Sequence, residues 1–282
     1  MDANKLAPDY CFRDNRDFLQ ILRGSNLILI RRSADSTALR DCIEEPEKYL
    51  SKSEVLKDSR STKAGTAVLS GGKRVFIKRY NNKGLRYTLR YMFRSAKPFR
   101  TWRAAWHFEM NGIPTPRPLA ASASRTARIL KSAYLVAESI HGIIPTLEFC
   151  SGMFDDRKLQ LSYAESIARL FAKMHKAGVY HGDAKLSNIY VSRNAKGVYS
   201  YGLWDLDGVD IRSRPICGNL RASELARTIS SYVEIGGRLG RKIDLDDTIG
   251  IFVDSYADAS GMKFPPGLIR KKAGKYLVTG NW

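Results

Sequence analysis

Residues 181–188 read HGDAKLSN, and residues 203–207, a short distance further along the chain, read LWDLD. The first segment places a carboxylate, a lysine and an amide at fixed offsets, and the second adds a further carboxylate. Phosphoryl transfer from a nucleotide needs such groups. A carboxylate must orient the attacking hydroxyl, oxygen ligands must hold Mg²⁺ against the phosphates, and a cation must offset charge on the migrating phosphoryl group. The two segments therefore predict a kinase-type site.

The polar residues of these segments have distinct predicted roles. Asp183 is the predicted catalytic carboxylate, with a buried and hydrogen-bonded loop aspartate as the structural alternative. Lys185 is the predicted contact to the γ-phosphate. Asn188 and Asp205 are the predicted metal ligands, because Mg²⁺ prefers oxygen ligands and keeps phosphate oxygens among them. Asp207 either assists the metal or the substrate, or caps a turn.

The phosphates of ATP are expected to contact residues upstream of these segments. Lys78 follows the apolar residues 75–77 and would neutralise the α- and β-phosphates, with an ordinary exposed strand lysine as the alternative. The loop that covers the phosphates is expected within 59–70. Gly65 is the single glycine of that stretch. Backbone amides and hydroxyls, such as that of Thr66, would therefore have to hold the phosphates.

Two glutamates complete the predicted nucleotide site. Glu109 is the only carboxylate between residues 59 and 114. It is the candidate for orienting Lys78, with a solvated surface residue as the alternative. Glu138 lies in the expected connection between two lobes, where the backbone of 137–139 would face the adenine ring.

Hydrophobic patterning predicts strands first and helices later. Strands are expected at 18–22, 27–31, 66–70, 74–80 and 133–139, with a later hairpin at 189–192 and 199–204. Helices are expected at 85–110 with an interruption near Pro98, and at 163–176, 222–233 and 248–259. The predicted fold class is α+β with two lobes. A strand-rich N-terminal lobe with an N-terminal extension spans 1–136, and a mainly helical C-terminal lobe spans 137–282.

Composition limits the class of protein. The chain has 282 residues, of which 44% are hydrophobic, a share sufficient for a real core. Its formal net charge of +19 and pI of about 9.9 indicate acidic partners. The four cysteines are far apart and form no Cys-x-x-Cys pair, so a reduced cytosolic compartment is expected and a zinc site is not. No signal-like or bilayer-spanning apolar run is evident, and a soluble or peripheral protein is expected.

The positive charge is concentrated in one stretch. Between residues 59 and 108 lysines and arginines recur, and there is no Asp or Glu. Arg86, Arg90 and Arg94 follow helical spacing, with aromatic residues between them. Three interpretations remain open: a solvated basic helix face, a surface that binds an anionic membrane, and a nucleic-acid-binding surface, for which no recognised motif is present.

Three segments resemble the lipopolysaccharide core kinases, a family of the protein-kinase-like superfamily that includes the heptose and Kdo kinases of Gram-negative bacteria. They are 75–81, 102–120, and 181–188 taken together with 205–207. The resemblance covers roughly residues 68–211. It implies a two-lobed protein-kinase-like fold, ATP with Mg²⁺, and transfer of the γ-phosphoryl group to a sugar hydroxyl of the lipopolysaccharide inner core, with heptose as the expected sugar.

The resemblance also implies roles for single residues. Lys78 would bind the ATP phosphates, Asp183 would be the catalytic base, and Asn188 with Asp205 would bind the metal. Gly182 stands where many protein kinases carry an arginine that reads a phosphorylated activation loop. Control by activation-loop phosphorylation is therefore not expected, and neither is a protein substrate.

This acceptor would explain the basic charge. Lipopolysaccharide is a polyanion at the inner leaflet of the inner membrane, so the expected protein is cytoplasmic and peripheral to that membrane, and it could also bind an acidic protein partner. Alternative enzymes are a Kdo kinase and a small-molecule kinase of the aminoglycoside or choline type, which usually needs an acidic pocket. A nucleotide-binding pseudokinase scaffold and a basic nucleic-acid-binding module are alternatives of other classes.

Overall fold

Seven antiparallel strands form the main sheet of the computed structural model, which describes residues 9–81, 94–127 and 129–279. The strands are β1 (Phe18–Arg23), β2 (Asn26–Arg31), β3 (Glu54–Ser59), β4 (Thr62–Val68), β5 (Arg74–Tyr80), β6 (Pro118–Thr126) and β7 (Ile129–Glu138). Their spatial order is β1-β2-β6-β7-β5-β4-β3. The predicted hairpins β1–β2 and β4–β5 are confirmed. Gly24, Gly71 and Gly72 in their turns have positive φ angles, which glycine adopts without strain.

Two short helices, α1 (Thr37–Glu44) and α2 (Pro46–Leu50), pack on one face of this sheet. Ser36 caps α1, because its hydroxyl accepts a hydrogen bond from the Leu39 N–H at 3.2 Å. The buried core between helices and sheet includes Ile28, Ile30, Leu39, Ile43, Val75 and Ile77. The hydrophobic pattern does not predict α1 and α2, because each helix is too short to display a full apolar stripe.

Helix α3 (Lys97–Met110) is the described part of the helix expected at 85–110. Pro98 lies in its first turn, where a missing backbone N–H costs little. Residues 82–93, which include Arg86 and Arg90, lie outside the described residues. The helix is anchored by Trp102, whose buried indole Nε1 donates to the carbonyl oxygen of Cys11 at 2.8 Å.

The chain divides into two compact units. The N-terminal unit comprises Met1–His107 and Pro116–Ser139, and the C-terminal unit comprises Phe108–Thr115 and Ile140–Trp282. The boundary expected after residue 136 falls inside β7, whose ladder continues to Glu138 opposite Val75. The unit boundary therefore follows the end of this strand.

The C-terminal unit is mainly helical. Its helices are α4 (Thr146–Phe154), α5 (Arg157–Lys176), α6 (Gly218–Arg238), α7 (Leu245–Ser260) and α8 (Pro266–Thr279). Its short strands are β8 (Ile143–Ile144), β9 (Val179–Tyr180), β10 (Ile189–Arg193), β11 (Tyr199–Leu203) and β12 (Asp210–Ile211). The predicted apolar stripe of α5 is confirmed as core, since Ile167, Leu170, Phe171 and Met174 are buried. The expected α+β class, strand-rich first and helical later, is confirmed.

Among the described residues, no helix combines the length and the apolar character needed to cross a membrane.

Three of the four cysteines are expected to be unreactive in the folded protein. Burial raises the pKa of Cys11, Cys42 and Cys150 to about 12, whereas Cys217 is exposed. The thiolate is the reactive form, so a thiol whose pKa is raised stays protonated at about pH 8. Titration with an aromatic disulfide reagent should detect one thiol in the native protein and four after unfolding. A native Cys217→Ser variant that still reacts promptly would contradict this expectation.

Candidate active site

The carboxylate of Asp183 lies among three donor side chains. Asn188 Nδ2 donates to Asp183 Oδ2 at 2.9 Å and to the Asp183 carbonyl oxygen at 2.8 Å. Lys185 Nζ is 3.6 Å from Oδ2, and Arg227 Nη1 donates to Oδ1 at 3.0 Å. The structure therefore brings together three of the residues singled out in the sequence, and it adds Arg227.

Helix α6 holds the backbone of the loop that carries Asp183. Its three bonding residues recur at helical spacing and so lie on one face. Glu224 Oε1 accepts from the Gly182 N–H at 2.7 Å, Thr228 Oγ1 donates to the Ala184 carbonyl at 2.6 Å, and Ser231 Oγ accepts from the Leu186 N–H at 3.1 Å. Backbone groups that would otherwise be buried without partners are thus satisfied by one helix.

Glu224 also belongs to a buried polar network. Its Oε2 accepts from His175 Nε2 at 2.9 Å, and His175 Nδ1 is hydrogen-bonded to the Tyr256 hydroxyl at 2.8 Å. Glu224 is 1% exposed and His175 is fully buried. Because both carboxylate oxygens of Glu224 are used, its side chain has a single orientation. Burial raises the pKa of the nearby Tyr180 phenol, and the Glu224 carboxylate adds to that effect.

His181 is buried inside the same loop. Its Nε2 is hydrogen-bonded to the carbonyl oxygen of Trp204 at 3.1 Å, and its side chain is 1% exposed. The ring therefore joins the loop to the end of β11. A structural role in holding the loop follows from this position.

The predicted metal ligands flank the β10–β11 hairpin: Asn188 directly precedes β10, and Asp205 comes two residues after the end of β11. Ile189 pairs with Leu203 in the β10–β11 ladder, and the Trp204 N–H donates to the Asn188 carbonyl oxygen at 3.1 Å. Asp205 follows directly and has φ 56° and ψ 54°, in the left-handed region that non-glycine residues rarely adopt. Such backbone strain concentrates at functional sites.

The donor chemistry of these residues suits Mg²⁺. The bonds that Asn188 makes to Asp183 use its amide nitrogen, which leaves the amide oxygen as the atom suited to a cation. Asp205 supplies an exposed carboxylate, and Asp207 lies in the turn Leu206–Gly208. Among the described residues, no group of three or more His, Cys, Asp or Glu could hold a metal alone. A hard cation here would therefore also need phosphate oxygens.

Lys78 lies on β5 of the N-terminal unit. Its strand neighbour Ile77 is buried in the core beneath α1 and α2, so Lys78 projects from the opposite face of the sheet. Its Nζ is 5.1 Å from the centroid of the Tyr80 ring. Glu109 lies in the last turn of α3, in a segment that groups with the C-terminal unit. The pairing of Lys78 with Glu109 stays a prediction.

The phosphate-covering loop expected within 59–70 stays a prediction, and the structure limits where it can lie. Strand β4 occupies most of that range, and Thr66 lies within it, paired with Phe76 on one side and Glu54 on the other. The strand expected from residue 66 begins earlier, at Thr62, and the turn between β3 and β4 consists of residues 60–61.

Glu138 ends β7 in an ion pair with Arg117. The guanidinium donates through Nε to Oε2 at 3.0 Å and through Nη2 to Oε1 at 2.7 Å. The Glu138 N–H also donates to the carbonyl oxygen of Arg117 at 2.9 Å. The bidentate pair fixes the start of the connection that leads to the C-terminal unit.

A family model described as the lipopolysaccharide kinase (Kdo/WaaP) family matches residues 41–229, which is more than half of the chain. The chain belongs to this family. It is therefore a kinase of lipopolysaccharide that uses ATP and transfers phosphate to a sugar hydroxyl.

The fold of the chain is similar to that of solved structures. The structure of WaaP in complex with acyl carrier protein matches with a TM-score of 0.59 and 18% identity, over 83% of this chain and 92% of that chain. The Rio2 kinase–ADP/Mg²⁺–phosphoaspartate complex from Chaetomium thermophilum matches with a TM-score of 0.49 and 12% identity, over 94% and 83%. A search of curated proteins found no match. The predicted protein-kinase-like fold is confirmed.

Proposed function

We propose that the protein phosphorylates a heptose of the lipopolysaccharide inner core, with Asp183 as the catalytic base. The observation that carries the mechanism is the Asp183 carboxylate, which is held by Asn188 and Arg227 beside Lys185. It is 42% exposed, so an acceptor hydroxyl can reach it. The resemblance to the lipopolysaccharide core kinases supports an inner-core sugar, and Kdo is the alternative acceptor.

The reaction balances with these groups. The heptose hydroxyl oxygen attacks the γ-phosphorus of ATP, a new oxygen–phosphorus bond forms, and the bond to the bridging oxygen of ADP breaks. The hydroxyl proton passes to the Asp183 carboxylate. Lys185 carries a positive charge close to that carboxylate, where it can also offset charge on the transferred phosphoryl group.

Asn188 and Asp205 would hold Mg²⁺ through oxygen atoms, with Asp207 as an additional candidate. The ion would neutralise the charge of the ATP phosphates. The exposed carboxylate of Asp205, fixed by its backbone next to the β10–β11 hairpin, supports this assignment. Replacement of Asp205 by alanine should then weaken binding of Mg²⁺–ATP but leave binding of metal-free nucleotide unchanged, which calorimetric titration measures.

The N-terminal unit would bind the nucleotide. Lys78 is the proposed contact to the α- and β-phosphates, with Glu109 as the residue that orients it. Thr66 is a proposed phosphate contact from within β4, and the phosphate-covering turn is proposed at 60–61. Glu138 would contribute to the adenine site through the backbone at the end of β7, since its side chain is paired with Arg117.

The net charge of +19 supports a cytoplasmic enzyme that works at the anionic surface of the inner membrane. Arg86, Arg90 and Arg94 are the proposed contacts. Sedimentation with anionic vesicles tests these contacts. The wild type should sediment with the vesicles, whereas a variant in which all three arginines are replaced by Glu should stay in solution. The complex of WaaP with acyl carrier protein also supports an acidic protein as a partner of this basic chain.

The acceptor can be identified with two purified core fragments, one that ends in Kdo and one that also carries heptose. We expect the heptose-bearing fragment to gain one phosphate group with ATP and Mg²⁺, and tandem mass spectrometry should locate it on heptose. The fragment that ends in Kdo is the matched control. Phosphate found on Kdo in both fragments would contradict the heptose assignment and favour the Kdo alternative.

A further inference from the structure

The position of the Asp183 carboxylate is set by donors from two different elements. Asn188, five residues further along the same loop, binds Oδ2, and Arg227, from helix α6, binds Oδ1. With one oxygen held on each side, the carboxylate cannot rotate about its χ2 angle without losing a hydrogen bond. A base that must meet an incoming hydroxyl depends on such fixed geometry.

Arg227 is itself restrained by its surroundings. It lies on α6 between Glu224 and Thr228, both of which bond the backbone of the Asp183 loop. Its side chain is 19% exposed, and its Cζ lies 4.5 Å from the centroid of the Tyr276 ring on helix α8. A guanidinium stacked on an aromatic ring keeps its plane and its donor directions.

The residue before Asp183 offers no side chain to orient it. Gly182 has φ 80°, and its N–H donates to Glu224. Lys185, two residues after Asp183, places its Nζ 3.6 Å from Oδ2, which is too long for a hydrogen bond. The donor to Oδ1 comes instead from α6, 44 residues further along the chain.

We propose that Arg227 is a positioning residue for the catalytic base, and that Tyr276 holds it in place. The inference rests on the proposed function of Asp183. The arrangement is assembled by folding alone, because α6 and α8 are packed elements of the C-terminal unit and no modification of the loop is needed. The catalytic carboxylate is therefore oriented before any substrate binds.

The test compares kcat and KM for ATP in four variants. Arg227→Met should lower kcat about 100-fold, because misplacement of a reacting group by about 1 Å costs that much, and KM for ATP should change less than about twofold. Arg227→Lys keeps the charge without the planar fork and should recover part of the loss. Tyr276→Leu should lower kcat about 10-fold, and Tyr276→Phe, which keeps the ring, should lower it less.

The matched control is Arg238→Met on the same helix, where the arginine is exposed and paired with Glu234. It should keep the wild-type kcat. Thermal unfolding shows whether a variant has lost its fold or only the position of the Asp183 carboxylate. If Arg227→Met does not fold, the comparison of Tyr276→Leu with Tyr276→Phe still supports or overturns the inference. An Arg227→Met variant with wild-type kcat, beside an inactive Asp183→Asn, would overturn the inference alone. Full activity of Asp183→Asn would instead contradict the proposed function.

Discussion

The Asp183→Asn variant is expected to transfer phosphate about 100- to 10,000-fold more slowly than the wild type, which is the range that general-base catalysis contributes. An amide has nearly the shape of the carboxylate but cannot accept the hydroxyl proton. The single amide oxygen can accept from only one of the two donors, Asn188 or Arg227, but Asn188 also donates to the backbone carbonyl oxygen of residue 183, so the loop should stay in place. The loss should therefore fall on kcat.

Two measurements make this result specific. Titration with a non-hydrolysable ATP analogue should give the same affinity for Asp183→Asn and the wild type, since the nucleotide contacts are proposed on other residues. The matched control is Asp210→Asn, an exposed aspartate of β12 paired with Arg212, and it should be fully active. Wild-type turnover by Asp183→Asn would show that another group accepts the proton.

The Glu224→Ala variant is expected to be less stable than the wild type by about 3 kcal/mol. It leaves the N–H of the buried His175 and that of the half-buried Gly182 without an acceptor, and an unsatisfied buried group costs about 1–3 kcal/mol. Urea denaturation should detect the change as a lower midpoint. Activity should fall as well, because the backbone of the Asp183 loop loses one of its bonds to α6.

Two control variants separate the hydrogen bonds from other effects of the mutation. Glu224→Gln keeps the shape and one oxygen acceptor, and it should lose clearly less stability than the alanine variant. Glu165→Ala removes an exposed carboxylate of α5 and should change stability by less than about 0.5 kcal/mol. If Glu224→Ala were as stable as Glu165→Ala, the buried network would not contribute to stability.

Parts of the site and of the fold that depend on residues close together in the chain could be predicted from the sequence. Asp183, Lys185 and Asn188 lie within six residues of one another, so their spacing alone brings them together, and the structure shows the contacts. Strands β4 and β5 were recognisable because their turn contains two glycines. The α5 core stripe was recognisable because helical periodicity marks the face that packs inward.

The rest depends on tertiary structure. Arg227 and Glu224 reach the Asp183 loop from a helix that begins thirty-five residues after Asp183, and no local pattern marks them as partners of that loop. Glu224 shares its face of α6 with the polar residues Thr228 and Ser231, so no apolar stripe marks it as buried. The start of β4 at Thr62, earlier than the predicted residue 66, also depends on pairing with two neighbouring strands.

The left-handed backbone of Asp205 restricts how this gene can change over evolutionary time. Asparagine and glycine tolerate that conformation, whereas a β-branched residue would strain the turn. A lineage that lost the need for catalysis could therefore replace Asp205 by asparagine or glycine and keep a stable protein. Inactive descendants would be expected to carry one of these two residues, so their sequences would record the loss of the proposed metal-binding carboxylate at a single codon.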